Sequence, residues 1–344
     1  FYEVTFDRST RVLGAIILVL AGILNMGLFL KVGAMFITGI TGLSHNSHAL
    51  PIVMTLLLVL VLIYTCLGGM ISVVITDYIQ FVVLSLGLLI TVGLATTQLS
   101  WTTITSTVQS MYGSAGFNPL SATGEFGWSY VLWMIITAGL VSCAIWPTAV
   151  QRALILHSSK AVKTQYILSS IGFMARFLIP NFLGICALVT ITQDPGLFGQ
   201  FFPQDGSTGI DSLYALPLYL SNLLPIGLMG LIVAGMIAAF MSTHDSYFLC
   251  WSAVITQDII SPLSPHPLSE STKLWLTRAI IMLIGLYVWY WGLWYKGTAD
   301  IWDYLAITGA IYFSGACAVL IGGLYWKRAT ARGAKWALLM GFTA

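Results

Sequence analysis

Charge is scarce in this chain. Asp, Glu, Lys and Arg together make up 8% of its 344 residues, while 58% are hydrophobic. A soluble domain carries about 25% charged residues, so a soluble fold is excluded. The mean hydropathy of +0.91 points to a polytopic membrane protein and not to a soluble domain with one anchor. Basic runs interleaved with aromatics are missing, and the net charge is only +2, so no nucleic-acid partner is expected. Period-two alternation long enough for a membrane barrel is missing as well. The five cysteines lie in apolar stretches and form no CxxC pair, so they read as small core residues and not as metal ligands or disulfides. HExxH, GxSxG, Walker and GxGxxG motifs do not occur, and no enzyme activity is expected. The five histidines are scattered. His45 and His48 are near each other but have no acidic neighbours, which fits a surface turn. The chain opens on Phe1 without a signal peptide and closes at Ala344 inside an apolar run that begins near Trp336. The expectation is a piece of a longer protein, cut at both ends.

What the chain has is apolar length. Hydrophobic segments fall at 12–37, 51–67, 70–94, 128–146, 167–190, 223–246, 274–295 and 304–326, with a truncated one from 336. A spanning helix needs about 20 such residues, so about eight full helices and a partial ninth are expected. Lys and Arg then sort to one side. Arg8, Arg11, Arg152, Lys160, Lys163, Lys273, Arg278, Lys327, Arg328, Arg332 and Lys335 share it, while Lys296 and Lys31 fall at the other. By the positive-inside rule the basic side is cytoplasmic. Residues 38–50, 95–127, 191–222 and 296–303 become outer loops, and 213–224 is expected to lie on the interface or fold back over an outer vestibule. Tyr287, Trp289, Tyr290, Trp291, Trp294 and Tyr295 crowd one helix end, as an aromatic belt does. Arg176 sits deep in its segment, so helix carbonyls or an acid are expected as its partner and lipid is not.

The most informative stretch runs from Ile226 to Ser246. Its first half is apolar. Its second half carries hydroxyls at Ser242, Thr243 and Ser246 and a carboxylate at Asp245. Residues i, i+3 and i+4 share a helix face, so the Ala239 carbonyl and the Ser242 and Thr243 side chains turn toward one point. Ser242, Asp245 and Ser246 make a second set. Hard cations bind several oxygens at once, and these are suitable atoms for Na⁺. Hydroxyls in membrane helices also bond back to their own backbone or join helices. A carboxylate in the same turn favours the ion reading, because intramembrane acids are costly and usually functional.

Tyr64 to Gln80 is the second such stretch. Gly68 and Gly69 read as a tight cytoplasmic turn, and Asp77 follows about two turns into the next helix. Asp77 and Asp245 then lie at similar depth on the same side, with Asp77 facing the 223–246 helix. Pairing of Asp77 with Arg176, or capping of a neighbouring helix, is the structural alternative.

At this point the chain resembles the sodium:solute symporter family. Tyr-Thr-x-Leu-Gly-Gly-x-x-x-Val-x-x-Thr-Asp-x-x-Gln at 64–80 is similar to its first signature, and Ala239 to Ser246 to its second. Gln151-Arg152 with Ser158 and Lys160 resembles its cytoplasmic loop, and Gly323 to Ala334 its late helix end. The matches come in family order along the whole chain. The resemblance implies an all-α, five-plus-five inverted-repeat transporter fold over residues 1–344 as a single domain, a fragment lacking the first core helices. It also implies Na⁺-coupled symport of a small organic solute by alternating access. Ala239, Ser242 and Thr243 match the family's main sodium site, whose other ligands come from the broken first core helix. Asp77, Ser242, Asp245 and Ser246 match a second sodium site found in some members. His244 departs from the apolar residue common at its position.

Solute identity is less legible. Sugar-transporting relatives have Asn where this chain has Trp146, and the proline symporter has Pro beside that point, as here at Pro147. The substitution leans toward an amino-acid-like or carboxylate solute over a hexose, although Pro147 also serves to end or kink its helix. A bacterial-type inner membrane is the expected location. The rival reading is a symporter-like sensor domain of a larger signalling protein.

Overall fold

The computed structural model describes residues 1–118, 120–121, 127–203, 207, 209–295 and 301–343, with side chains at 68–74 and 137–138 outside the description. All regular structure among the described residues is helical. Helices α1 (Arg8–Met26) and α2 (Phe29–Ile40) together make the first span. Helix α3 (Ala49–Gln98) contains two span-length apolar stretches, Ala49–Leu67 and Ile75–Gln98. The tight turn expected at Gly68 and Gly69 lies between these stretches, outside the described residues. The segment that follows holds α4 (Trp101–Tyr112). Helix α5 (Trp128–Met134) passes through a π-helical segment at Ile135–Val141 and a last turn at Ser142–Ile145. Then come α6 (Pro147–Leu154), α7 (Ser159–Gln193) and α8 (Ala215–Leu223). Helix α9 (Ile226–Val254) continues through a second π segment at Ile255–Ile260. The chain closes with α10 (Glu270–Trp294), α11 (Ile301–Tyr325) and α12 (Ala331–Thr343). Eight helical stretches of the described residues are long and apolar enough to cross a membrane.

Local sequence sets where these helices begin. Asp7 caps α1 by accepting from the Thr10 backbone N–H at 2.6 Å. Ser158 and Ser269 cap α7 and α10 through the backbone N–H groups of Ala161 and Thr272. An N-cap oxygen satisfies one of the donors that a helix start leaves bare. The Ser158 cap starts α7 earlier than its apolar run at 167–190 suggested.

Two buried cores result. One gathers Met26, Phe248, Trp251 and Ile281, and the other Ile40, Leu183, Leu220 and Leu223. Helix α9 contributes to both. Small residues set the closest approaches. The Trp251 indole lies directly on Gly22, where any side chain would overlap it. A Cβ on Gly315 would meet the Ala337 carbonyl oxygen at 2.7 Å, and one on Gly341 would meet the Gly315 Cα at 2.5 Å. Helices α11 and α12 therefore cross backbone to backbone, as small residues permit in membranes.

Three expectations change. Within residues 213–224 the chain forms helix α8 (Ala215–Leu223), preceded by a short turn at Ser212–Tyr214, and α8 packs onto α7 and α2 with Tyr219 and Leu220 buried. The aromatic cluster of α10 divides. Tyr290 and Trp294 are exposed as belt residues, whereas Trp291 stacks between Tyr287 and Tyr295 and donates to Tyr304 at 3.1 Å. Arg176 is exposed and lies 5.3 Å over the ring of Phe173, one turn back on its own helix. The expected acid or carbonyl partner is replaced by this aromatic face, a known resting place for a guanidinium.

Candidate cation site and the polar core beside it

Helix α9 is thin along one side. A Cβ on Gly235 would stand 3.4 Å from the Leu84 backbone, so α3 and α9 run close together. Two turns along this antiparallel pair, the same closeness puts Asp77 against Ser242. Ser242 donates its hydroxyl to Asp77 Oδ1. The other carboxylate oxygen, Oδ2, accepts from Arg152 Nη2 at 2.6 Å. The same nitrogen donates to Ser246 Oγ at 2.9 Å. Ser246 Oγ in turn lies 2.8 Å from the Ser242 carbonyl oxygen and 3.3 Å from Asp245 Oδ1. Asp245 is fully buried, and its Oδ2 has no hydrogen-bond partner.

One turn back on α9, Thr243 donates to the Ala239 carbonyl at 2.9 Å. These are two of the three atoms expected at the main sodium site. The third, the Ser242 hydroxyl, is turned toward Asp77. Thus Asp77, Ser242, Asp245 and Ser246 form one chain of contacts, while Ala239 and Thr243 form a separate pair. His244 points the other way. It is fully buried, its Nδ1 is 2.9 Å from the Phe240 carbonyl, and its ring lies 3.9 Å from that of Phe240, centroid to centroid. Its Nε2 has no partner.

The donor set suits a hard monovalent cation. Every candidate ligand atom is an oxygen, two are carboxylates, and the buried Asp245 Oδ2 is a lone acceptor of the kind an ion satisfies. The Thr243 and Ala239 oxygens are still usable, since a hydroxyl that donates keeps its lone pairs and a carbonyl has two.

Trp146 marks a break. Its backbone is extended (φ −73°, ψ 120°) between the turn Ser142–Ile145 and α6, and Pro147 takes the first position of α6. That position needs no N–H, so proline fits it for local reasons. The Trp146 side chain is buried in a box formed by Trp251 and Phe313, at 5.3 and 5.2 Å between ring centroids. Its Nε1 donates to Tyr247 at 3.2 Å. Tyr247 in turn donates to Asn25 Oδ1 at 3.4 Å. Asn25 Nδ2 donates to Thr308 Oγ1 and to the Leu305 carbonyl, both at 2.9 Å. A buried polar relay thus ties the broken helix to α9, α1 and α11.

Sequence reasoning gave no site role to Arg152, Tyr247, Asn25 or Thr308. Asn25 carried a signal, a lone amide within an apolar run, which is costly in a membrane and seldom idle. Arg152 was visible only as part of a loop motif.

The sodium:solute symporter family matches residues 5–341 of this chain. Sodium/glucose cotransporter 4 of Danio rerio is 23% identical over 318 aligned positions, covering 83% of this chain and 46% of the relative. The sodium/sialic acid symporter SiaT of Proteus mirabilis is 24% identical over 362 aligned positions, covering 100% of this chain and 68% of the relative. A solved structure of a Na⁺-coupled sialic acid symporter, in a substrate-bound outward-open state, superposes with a TM-score of 0.69 at 20% identity. That superposition covers 99% of this chain and 75% of the other and carries the transporter fold. The chain spans about half the length of the sodium/glucose relative.

Proposed function

Because this chain belongs to the sodium:solute symporter family, we propose that it is a transporter domain, spanning 1–344, of a multi-pass membrane protein that couples uptake of a small organic solute to entry of Na⁺. The observation that carries this reading is the oxygen cluster between α3 and α9. Asp77 and Ser242 are in contact, Ser246 and the buried Asp245 adjoin them, and the Ala239–Thr243 pair lies one turn away. Ala239, Ser242 and Thr243 contribute to a main sodium site once Ser242 turns from Asp77. Asp77, Ser242, Asp245 and Ser246 contribute to a second. Sodium drives transport by binding one conformation more tightly than the other, since only differential affinity shifts a conformational equilibrium.

The solute is small and polar. The relatives named above are cotransporters of glucose and of sialic acid, which supports a hydroxylated cargo. The lean toward an amino-acid-like or carboxylate solute rests on Trp146, which stands where sugar-transporting relatives have Asn, and on Pro147, whose place at the start of α6 has a local explanation. Trp146, Tyr247 and Asn25 are the candidate cargo-facing groups, an aromatic face flanked by hydrogen-bonding atoms. The bacterial sialic acid symporter among the relatives supports a bacterial plasma membrane as the location. The sensor alternative receives no support, since the relatives named are symporters and cotransporters.

The test is uptake into vesicles containing the full-length protein, with sodium or choline outside and a panel of glucose, myo-inositol, sialic acid and proline. Sodium-dependent accumulation of one of them is expected. Accumulation of a solute at equal rates in choline would sink the coupling.

A further inference from the structure

We propose that Arg152 is a tethered cation that occupies the second ion position, so that the arginine and a sodium ion exclude one another there. The inference rests on the two-site reading above and adds how the second site is emptied.

The geometry is specific. One guanidinium nitrogen, Nη2, reaches Asp77 Oδ2 at 2.6 Å and Ser246 Oγ at 2.9 Å. A hard cation of sodium's size held by those two oxygens would sit about 2.5 Å from each, close to the distances the nitrogen keeps. Two positive charges this close repel. Beside the guanidinium a cavity of about 10 Å³, lined by Thr148, Gln151, Arg152, Ile155 and Ser246, has room for one water-sized particle. A second cation with its own water does not fit.

The arginine can also leave. Its side chain is 41% exposed, so the head is not locked in the protein. It stands on α6, which begins at the break after Trp146. Swinging outward takes the charge into water at the basic end of the molecule, where hydration is favourable. When the ion departs, the returning guanidinium pairs Asp77 again. Without it, release would leave the half-buried Asp77 carboxylate without a cation beside it, and that cost would hold the ion back. Arg152 is thus a positioning residue that eases sodium release and keeps the empty carrier neutral at Asp77.

The experiment is equilibrium binding of radioactive Na⁺ to the purified full-length protein without solute, comparing wild type with Arg152→Gln, Arg152→Lys and Asp77→Asn. Arg152→Gln removes the competing charge and should tighten the weaker sodium-binding event at least tenfold. Arg152→Lys retains the charge and should stay near wild type, and Asp77→Asn should lose that event. A second measurement needs no variant. Modification of Arg152 by phenylglyoxal, read by mass spectrometry, should rise severalfold with sodium as the ion displaces the guanidinium. If sodium binds to wild type but Arg152→Gln leaves its affinity unchanged or weakens it, this inference is overturned and the symport reading survives. The same holds if sodium protects Arg152 from modification. A wild type that binds no sodium overturns both.

Discussion

The Thr243 hydroxyl donates to the carbonyl of Ala239 at 2.9 Å, one turn back on the same helix. The contact is neutral in its meaning, since it serves helix glue and ion ligand alike. Thr243→Val preserves shape and removes the oxygen; Thr243→Ser preserves the oxygen. Apparent sodium affinity in uptake should fall about tenfold or more for valine, ~1.4 kcal/mol, and little for serine. By linkage, solute affinity should fall much less once sodium is saturating. An unchanged sodium dependence in Thr243→Val would leave the hydroxyl as glue.

Asn25 is held by two donated bonds at 2.9 Å and lies next to Tyr247. Asn25→Leu fills the space with hydrocarbon and takes away the acceptor of the Tyr247 O–H, whose oxygen still accepts from Trp146 Nε1. The expected loss is about 1–2 kcal/mol of stability, between the small values typical of membrane hydrogen bonds and the cost of an unmet buried group. Thermal unfolding in detergent measures it. Wild-type stability in Asn25→Leu would make the relay dispensable.

The basic end of the molecule carries a pH-sensitive clasp. Lys335 Nζ lies 2.8 Å from Asp7 Oδ2, and Thr10 donates to Oδ1 from both its hydroxyl and its backbone. The Lys335 ammonium first, and then the Thr10 bonds, hold the Asp7 carboxyl well below the ordinary carboxylate range. A lowered acid stabilises the fold fully above its unfolded value, about 3.9, and that support fades as pH falls through the folded value. The difference in melting temperature between wild type and Asp7→Asn should therefore be constant above about pH 5 and shrink below pH 4. A difference independent of pH down to 3 would rule the clasp out.

Gly315 and Gly341 let α11 and α12 touch through their backbones. Gly315→Ala meets the Ala337 carbonyl oxygen and Leu338 Cα, which are main chain and cannot rotate aside. Overpacking of this kind costs about 1–3 kcal/mol, so a clear drop in melting temperature is expected. Gly322→Ala, where a Cβ meets nothing within 4 Å, is the matched control.

Much of this architecture was legible because membranes impose simple rules. Apolar length marked the spans. Asp77 was placed toward α9 by the cost of a carboxylate in hydrocarbon, and the structure puts it on Ser242. Arg152 escaped because a pairing between distant helices leaves no periodicity in sequence. Arg176 was misread because depth along a helix does not reveal which way a side chain faces, and an aromatic ring one turn away can take a guanidinium as an acid would. Trp146 signalled its break through Pro147, but its aromatic box draws on α9 and α11 and exists only after folding.

That box also gives the protein an optical signature. Trp146 and Trp251 stand 5.3 Å apart at 73°, close and steeply inclined, in a part of the core where Trp251 is fully buried. Indoles so arranged couple their strong electronic transitions and give a paired band in far-ultraviolet circular dichroism. The band depends on the angle between the rings, so any motion that turns the broken helix against α9 changes it. Subtracting the spectrum of Trp251→Phe isolates the pair from the other indoles. The native chain thus carries its own label-free readout of the core's conformation, which sodium and solute can be titrated against directly.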